Sequence, residues 1–357
     1  MKILHVISSN KLDSHFFRGL LRDGKALGLE QDLWVLGMRG SLNAAFEAAG
    51  GESSNFVGSL AAAPFHLHAF TRATKPRIVH AHLYRSSLAA AAAKLLFPWG
   101  PPLLITRHHN DQHFLYGKRR HVIADATVSG IAKKVVAVSR QTAATIINRE
   151  KTSANKVETI EVGLDLDRFV TRSVVAETSS SRPLLIAIGK PDMFKGFAVL
   201  LEAFRRVRVH FPTATLRIIG PAEGFLQREP GVEMSGWLED VRPELNAADL
   251  FVHASFSEAC CQVVLEAVAC GVRTVTTNVG NAIDVVTPER GSVVPTHDVQ
   301  ALADAIIQEL SRPAVIAPAR FAGTEFDNHV MSVRYAKLYA SILAAGRNDP
   351  SLPYTPH

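Results

Sequence analysis

From end to end, the chain alternates short apolar runs rich in β-branched residues with longer stretches of helical periodicity, and one polar break divides this pattern into two series. Such alternation commits a chain to parallel strands joined by crossover helices, because strands buried on both faces read as unbroken apolar runs. In the first series the predicted strands are Ile3–Ile7, Gln31–Leu36, Ile78–Ala81, Leu103–Thr106, Lys134–Val138 and Val157–Glu161. Phe16, Phe17, Leu20, Leu21 and Leu27 recur at helical spacing, and the Ala-rich Ser86–Leu96 forms a second helix ended by Pro98. Thr171–Pro183 is polar, Ser-rich and without apolar period, so it reads as a linker. The second series has strands at Leu184–Ile188, Thr215–Ile219, Leu250–Ala254, Thr274–Thr276 and Ser292–Val294. Its helices are at Phe197–Val209, Val241–Ala247, Cys261–Ala269 and Gln300–Leu310. The expectation is α/β: two doubly wound, Rossmann-like domains, residues 1–170 and 184–326, joined by 171–183 and facing a central ligand cleft between them.

Composition closes off other classes. At 357 residues and 47% hydrophobic, the chain is neither disordered nor fibrous. Its three cysteines, Cys260, Cys261 and Cys270, are too few and too clustered for a disulfide framework, which points to a reducing compartment. They also lack the spaced pairs of a zinc site, so no metal is expected there. No signal peptide is read at Met1–Asn10, and the most apolar stretch, Leu88 to Ile105, is broken by Lys94, Gly100 and three prolines. The net charge of +6 is uneven: residues 1–170 carry 22 Lys and Arg against 13 Asp and Glu. That basic half fits an anionic partner.

Two patterns carry chemistry. Glu258 follows a strand and Glu266 lies eight positions on, inside the next helix. At 1.5 Å per helical residue the two carboxylates are roughly 12 Å apart, a span suited to hydroxyls at either end of a diphosphate-bridged pair of sugars. Glu150 and Glu158 repeat the spacing, but they flank a polar stretch before a strand, away from where α/β sheets bind ligands. The second pattern is Ile188-Gly189-Lys190-Pro-Asp-Met-Phe-Lys195-Gly196, in which a strand ends at a glycine and two lysines precede a helix. Those cations suit a diphosphate, although the order is not that of a Walker loop. No Gly-x-Gly-x-x-Gly follows a strand, which excludes a nicotinamide-type fingerprint.

In order along the chain, Val79-His80-Ala-His82, Thr106-Arg-His108, Ala137-Val138-Ser139 and Glu161-Val-Gly163-Leu-Asp165 are followed by Gly189…Lys195-Gly196, Arg217-Ile-Ile-Gly220 and Met234-Ser-Gly236-Trp237. Ala248-Asp249…Ser255, Glu258 to Glu266, Val279-Gly280-Asn281 and Gly291…Pro295 complete the series. This series resembles the large retaining glycosyltransferase family 4, with its two-domain GT-B fold and Glu-x7-Glu element. The resemblance implies that Lys190 and Lys195 neutralise a donor diphosphate and Glu266 accepts hydrogen bonds from the ribose. It implies that Glu258 holds the transferred sugar, with backbone N–H groups around Ala259, Cys260, Cys261 and Gln262 assisting. Trp237 and Leu238 would border the base, and His108, favoured over His109 by the Thr-x-His register, would reach toward the sugar. The last helix, 327–344, would fold back on the first domain.

The reading that follows is a metal-independent, retaining enzyme without cofactor, moving a sugar from a UDP- or GDP-sugar to a glycan or lipid-linked acceptor. Nucleic acid is not expected as a partner. A cytoplasmic place with peripheral membrane contact through the basic half fits, and the Tyr116–His121 segment reads as a solvated basic loop. Departures are Lys190 in place of the family's Arg, Ala259-Cys260-Cys261 in place of glycines, and Ser8-Ser9-Asn10-Lys11 in place of a Gly-Gly loop. A nucleotide-sugar-binding protein without turnover, and a nucleotide-sugar epimerase of the same fold, stand as the alternatives.

Overall fold

The computed structural model describes residues 1–11, 15–166, 168–169, 182–190, 192–221, 229–312, 321 and 323–347, the side chains of 346 and 347 excepted. Most of the linker 171–183, and the chain beyond 347, lie outside the described residues. Two compact units account for the contacts: Met1–Asp165 with Gly323–His357, and Leu166–Ala322.

The first unit is built on a parallel sheet of β1 (Lys2–Ile7), β2 (Glu30–Leu36), β3 (Ser53–Phe56), β4 (Ile78–His82), β5 (Leu103–Arg107), β6 (Lys134–Ala137) and β7 (Val157–Thr159), in the order β3-β2-β1-β4-β5-β6-β7. The second contains β8 (Leu184–Ile188), β9 (Thr215–Ile219), β10 (Val232–Gly236), β11 (Leu250–His253), β12 (Thr274–Thr277) and β13 (Gly291–Val294), in the order β10-β9-β8-β11-β12-β13. Each sheet is doubly wound, and its order reverses between neighbours that are distant in sequence: β1 beside β4, and β8 beside β11. Both sheets follow from the apolar runs. β1 buries Ile3, Leu4 and Val6 completely, and the helix Phe197–His210 buries Phe197, Leu200, Phe204 and Val207 on one stripe.

The helix Asn328–Arg347 belongs to the first unit. Its Tyr339 hydroxyl pairs with His80 Nδ1 at 2.8 Å, and Tyr335 with Thr106 Oγ1 at 3.0 Å. The expected basic loop is a loop only in part. Arg119, Arg120 and His121 begin the helix Arg119–Ile131, because nothing in their spacing opposes a helix that Asp125, Val128 and Ser129 bury. Among the described residues no helix is long and apolar enough to cross a membrane.

Candidate functional site

In the second unit, loops after β8 and β11 meet at the carboxyl ends of adjacent strands, where the sheet order reverses and α/β folds take ligands. Three local devices bring them together. Asp192 Oδ1 accepts from the backbone N–H of Phe194 at 2.8 Å and of Lys195 at 3.1 Å, closing an Asx turn. The carbonyl of Phe194 then accepts from Phe256 N–H at 2.6 Å, stitching the two loops. Gly196, at φ +64°, lies so close that a Cβ there would sit 2.0 Å from the Ala254 carbonyl oxygen. Only glycine satisfies both the backbone angle and that approach.

The result is an ion pair. Lys195 Nζ lies 2.6 Å from Glu258 Oε1, which also accepts from Ser255 Oγ at 2.9 Å. His253 Nε2 is 3.5 Å from the same oxygen, longer than a good hydrogen bond, while its Nδ1 pairs with Thr276 Oγ1 at 3.0 Å. Burial works against the Glu258 charge, but His253 and Lys195 outweigh it and hold the carboxyl down at about 2. Lys195 is pushed the other way: burial opposes its charge, Glu258 restores it, and the ammonium ends above its usual range. An anionic Glu258 and a cationic Lys195 therefore coexist across the physiological range.

The remaining predicted residues divide. Glu266 is half-buried on the fifth position of the helix Gln262–Ala269. That helix starts at Gln262, so only the later part of the Glu258–Glu266 spacing is helical and the 1.5 Å step does not apply to all of it. The N–H of Cys261 donates to Asn281 Oδ1 at 2.8 Å, and its buried thiol donates to the Val279 carbonyl at 3.2 Å. Cys261 therefore supplies its backbone donor to the protein, and burial raises its thiol well above the usual range. Ala259 is buried, Cys260 and Gln262 half-buried, and Lys190 exposed just past β8. Trp237, after β10, is 70% exposed, a large apolar face presented to solvent, with Leu238 half-buried beside it.

In the first unit, His108 follows β5, half-buried, with Nε2 3.2 Å from His82 Nδ1. His109 is turned elsewhere: its Nε2 meets Asp125 Oδ2 at 3.0 Å, beside His113 Nδ1 at 2.7 Å from that oxygen. Arg107 holds the other Asp125 oxygen at 3.2 Å, so this His–His–Asp cluster is already charge-compensated by a guanidinium. After β1, the carbonyl of Asn10 accepts from Leu42 N–H at 3.0 Å and packs on Gly40, where a Cβ would meet it at 2.3 Å. Sequence reading missed Ser255, His253 and Asn281 as site residues. Polar side chains at the end of an otherwise apolar strand, and an asparagine after Val279-Gly280, were the available signals.

Residues 20–168 match the family described as Glycosyltransferase Family 4, and residues 182–312 match Glycosyl transferases group 1. Together the two matches cover both sheets except β1. The chain belongs to the family 4 glycosyltransferases. A Bacillus subtilis protein named for a glycosyltransferase role in teichuronic acid biosynthesis is 29% identical over 244 residues, 65% of this chain and 60% of that one. The D-inositol 3-phosphate glycosyltransferase of Salinispora tropica is 26% identical over 67% of this chain and 58% of its own length. The matched stretch thus spans less than two thirds of either relative. Among solved structures, Anabaena HepE in complex with UDP superposes with a TM-score of 0.76 at 20% identity, covering 96% of this chain and 100% of that one. The fold of this family 4 member is GT-B.

Proposed function

We propose that the protein is a retaining glycosyltransferase that takes a nucleotide diphosphate-sugar, UDP- or GDP-linked, and passes the sugar to a hydroxyl of a glycan or lipid-linked acceptor. The observation carrying this reading is the Lys195–Glu258 pair, held at 2.6 Å where β8 and β11 adjoin. A half-buried ammonium at that place offsets the charge that builds on the departing diphosphate, and the helix start at Gln262 adds a positive dipole end, so no divalent metal is required. Glu258, fixed through Oε1, would meet the sugar hydroxyls through Oε2, and Glu266 the ribose. The glycosidic C–O bond to the diphosphate breaks as the acceptor oxygen attacks on the same face. The acceptor's proton passes to the leaving phosphate oxygen.

Further support comes from relatives named for sugar transfer and from HepE, whose structures contain UDP and UDP-glucose. The test is incubation with UDP- and GDP-sugars in excess EDTA, without acceptor, followed by proton NMR. The expected result is slow release of nucleoside diphosphate with the freed sugar first seen in the donor's anomeric form. Binding without any release indicates a non-catalytic binding protein, release of the opposite anomer overturns retention, and a new epimer at the sugar ring overturns transfer.

A further inference from the structure

A row of side chains crosses the first sheet diagonally, advancing two residues along the strands at each step. Gln31 on β2, His5 on β1, His82 on β4 and His108 after β5 are linked by hydrogen bonds of 3.2, 3.0 and 3.2 Å. All but His108 are buried. The row has a direction, set at its far end. Gln31 Nε2 donates to the Leu20 carbonyl at 2.8 Å, and a backbone carbonyl only accepts, so the amide oxygen of Gln31 is the atom facing His5. His5 must then donate from Nε2 and accept at Nδ1. A neutral imidazole has one donor and one acceptor, so the same polarity passes to His82 and from His82 to His108. The rings are neutral at pH 7: burial pulls His5 to about 3 and His108 to about 4, and takes His82 well below its usual value. The flanking titratable groups reinforce this. His80 lies with its ring centroid 4.0 Å from that of His82 and is itself tied to Tyr339 and Thr106, and His109 adds to the suppression of charge on His108.

We propose that Gln31, His5 and His82 are positioning residues that lock His108 as its Nε2–H tautomer, so that its Nδ1 lone pair accepts a hydrogen bond from a hydroxyl of the substrate. The proposal rests on the transferase reading and on the substrate-facing role that the family resemblance implies for His108. Because the row ends in a neutral amide, it fixes a tautomer and does not carry a proton away. An acceptor-only nitrogen also has a chemical preference. It suits the O–H of a neutral sugar and repels a carboxylate or phosphate oxygen at that position.

The direct test is nitrogen-15 histidine NMR of the wild-type protein at pH 7. The protons of His5, His82 and His108 are expected on Nε2, and a proton on Nδ1 of His82 or His108 overturns the proposal. A second arm uses His82→Phe, which keeps an aromatic ring but cuts the row, with Gln31→Met as a milder cut should the first variant not fold. His108 is then expected to show both tautomers, with kcat down roughly tenfold and the donor KM within about twofold. A folded variant that keeps a single Nε2–H signal at His108 and wild-type kcat contradicts it. The spectrum needs no activity, so a failure of this inference is distinguishable from a failure of the transferase reading.

Discussion

Glu258→Gln lowers turnover at least about 100-fold while nucleoside diphosphate binds as tightly as before, or more tightly. The carboxamide keeps the size of the side chain, and its oxygen still accepts from Ser255 and Lys195, so the loop after β11 retains its shape. What is lost is the negative charge that the proposed function places at the reacting sugar. Lys195, no longer neutralised at 2.6 Å, has more of its charge to give to a diphosphate, so ground-state binding and turnover move apart. Steady-state kinetics with calorimetry of the nucleotide separates the two, and a variant with full kcat removes Glu258 from the chemistry. The pH behaviour follows from the same pair. With its carboxyl at about 2, below the ordinary glutamate value, Glu258 contributes stability that is present above that ordinary value and lost as the pH falls toward 2.

Arg107→Met costs about 3–5 kcal/mol of stability, the largest effect expected outside the site. The guanidinium, buried at the end of β5, reaches Glu150 at 2.8 and 3.1 Å, Ser129 Oγ at 2.9 Å and Asp125 at 3.2 Å. Removing it leaves two buried carboxylates without their cation. Burial already holds Glu150 above its usual range despite Arg107, so the loss drives it toward protonation. Since Arg107 directly precedes His108, the variant also loosens the strand end that carries that ring. Urea denaturation measures the loss, and adding Glu150→Gln to the variant is expected to recover part of it. A single variant within about 1 kcal/mol of wild type contradicts the assignment of this cluster as structural.

The same residues show what could be read from sequence. Strands β1, β4, β8 and β11 are central, buried on both faces, and legible as apolar runs. Strands β3 and β10 escaped notice: each is an outer strand, and Ser53–Phe56 and Val232–Gly236 contain no fully buried residue, whereas β7, also an outer strand, runs on into the buried Ile160 and Val162. Glu150 and Glu258 illustrate the limit of spacing. Each has a glutamate eight positions on, yet Glu150 is locked to an arginine in the core while Glu258 faces a lysine at a strand end. Chain context at the carboxyl end of a strand separated them, and spacing did not. The Gln31–His5–His82–His108 row was not legible, because it depends on the spatial strand order β2-β1-β4-β5. Asn281 and Ser255 were hidden for the same reason, acting on residues that only the folded loops bring near.

In the proposed function, Lys195 and Glu266 make the second unit a receptor for a nucleoside diphosphate. Titration calorimetry of UDP, GDP and their monophosphates, in EDTA, tests it against the wild type, Lys195→Ala and Glu266→Gln. Diphosphate is expected to bind at least about tenfold more tightly than monophosphate, with Lys195→Ala erasing that preference and Glu266→Gln weakening both nucleotides together. Diphosphate and monophosphate binding alike to the wild type, or a preference untouched by Lys195→Ala, would contradict it.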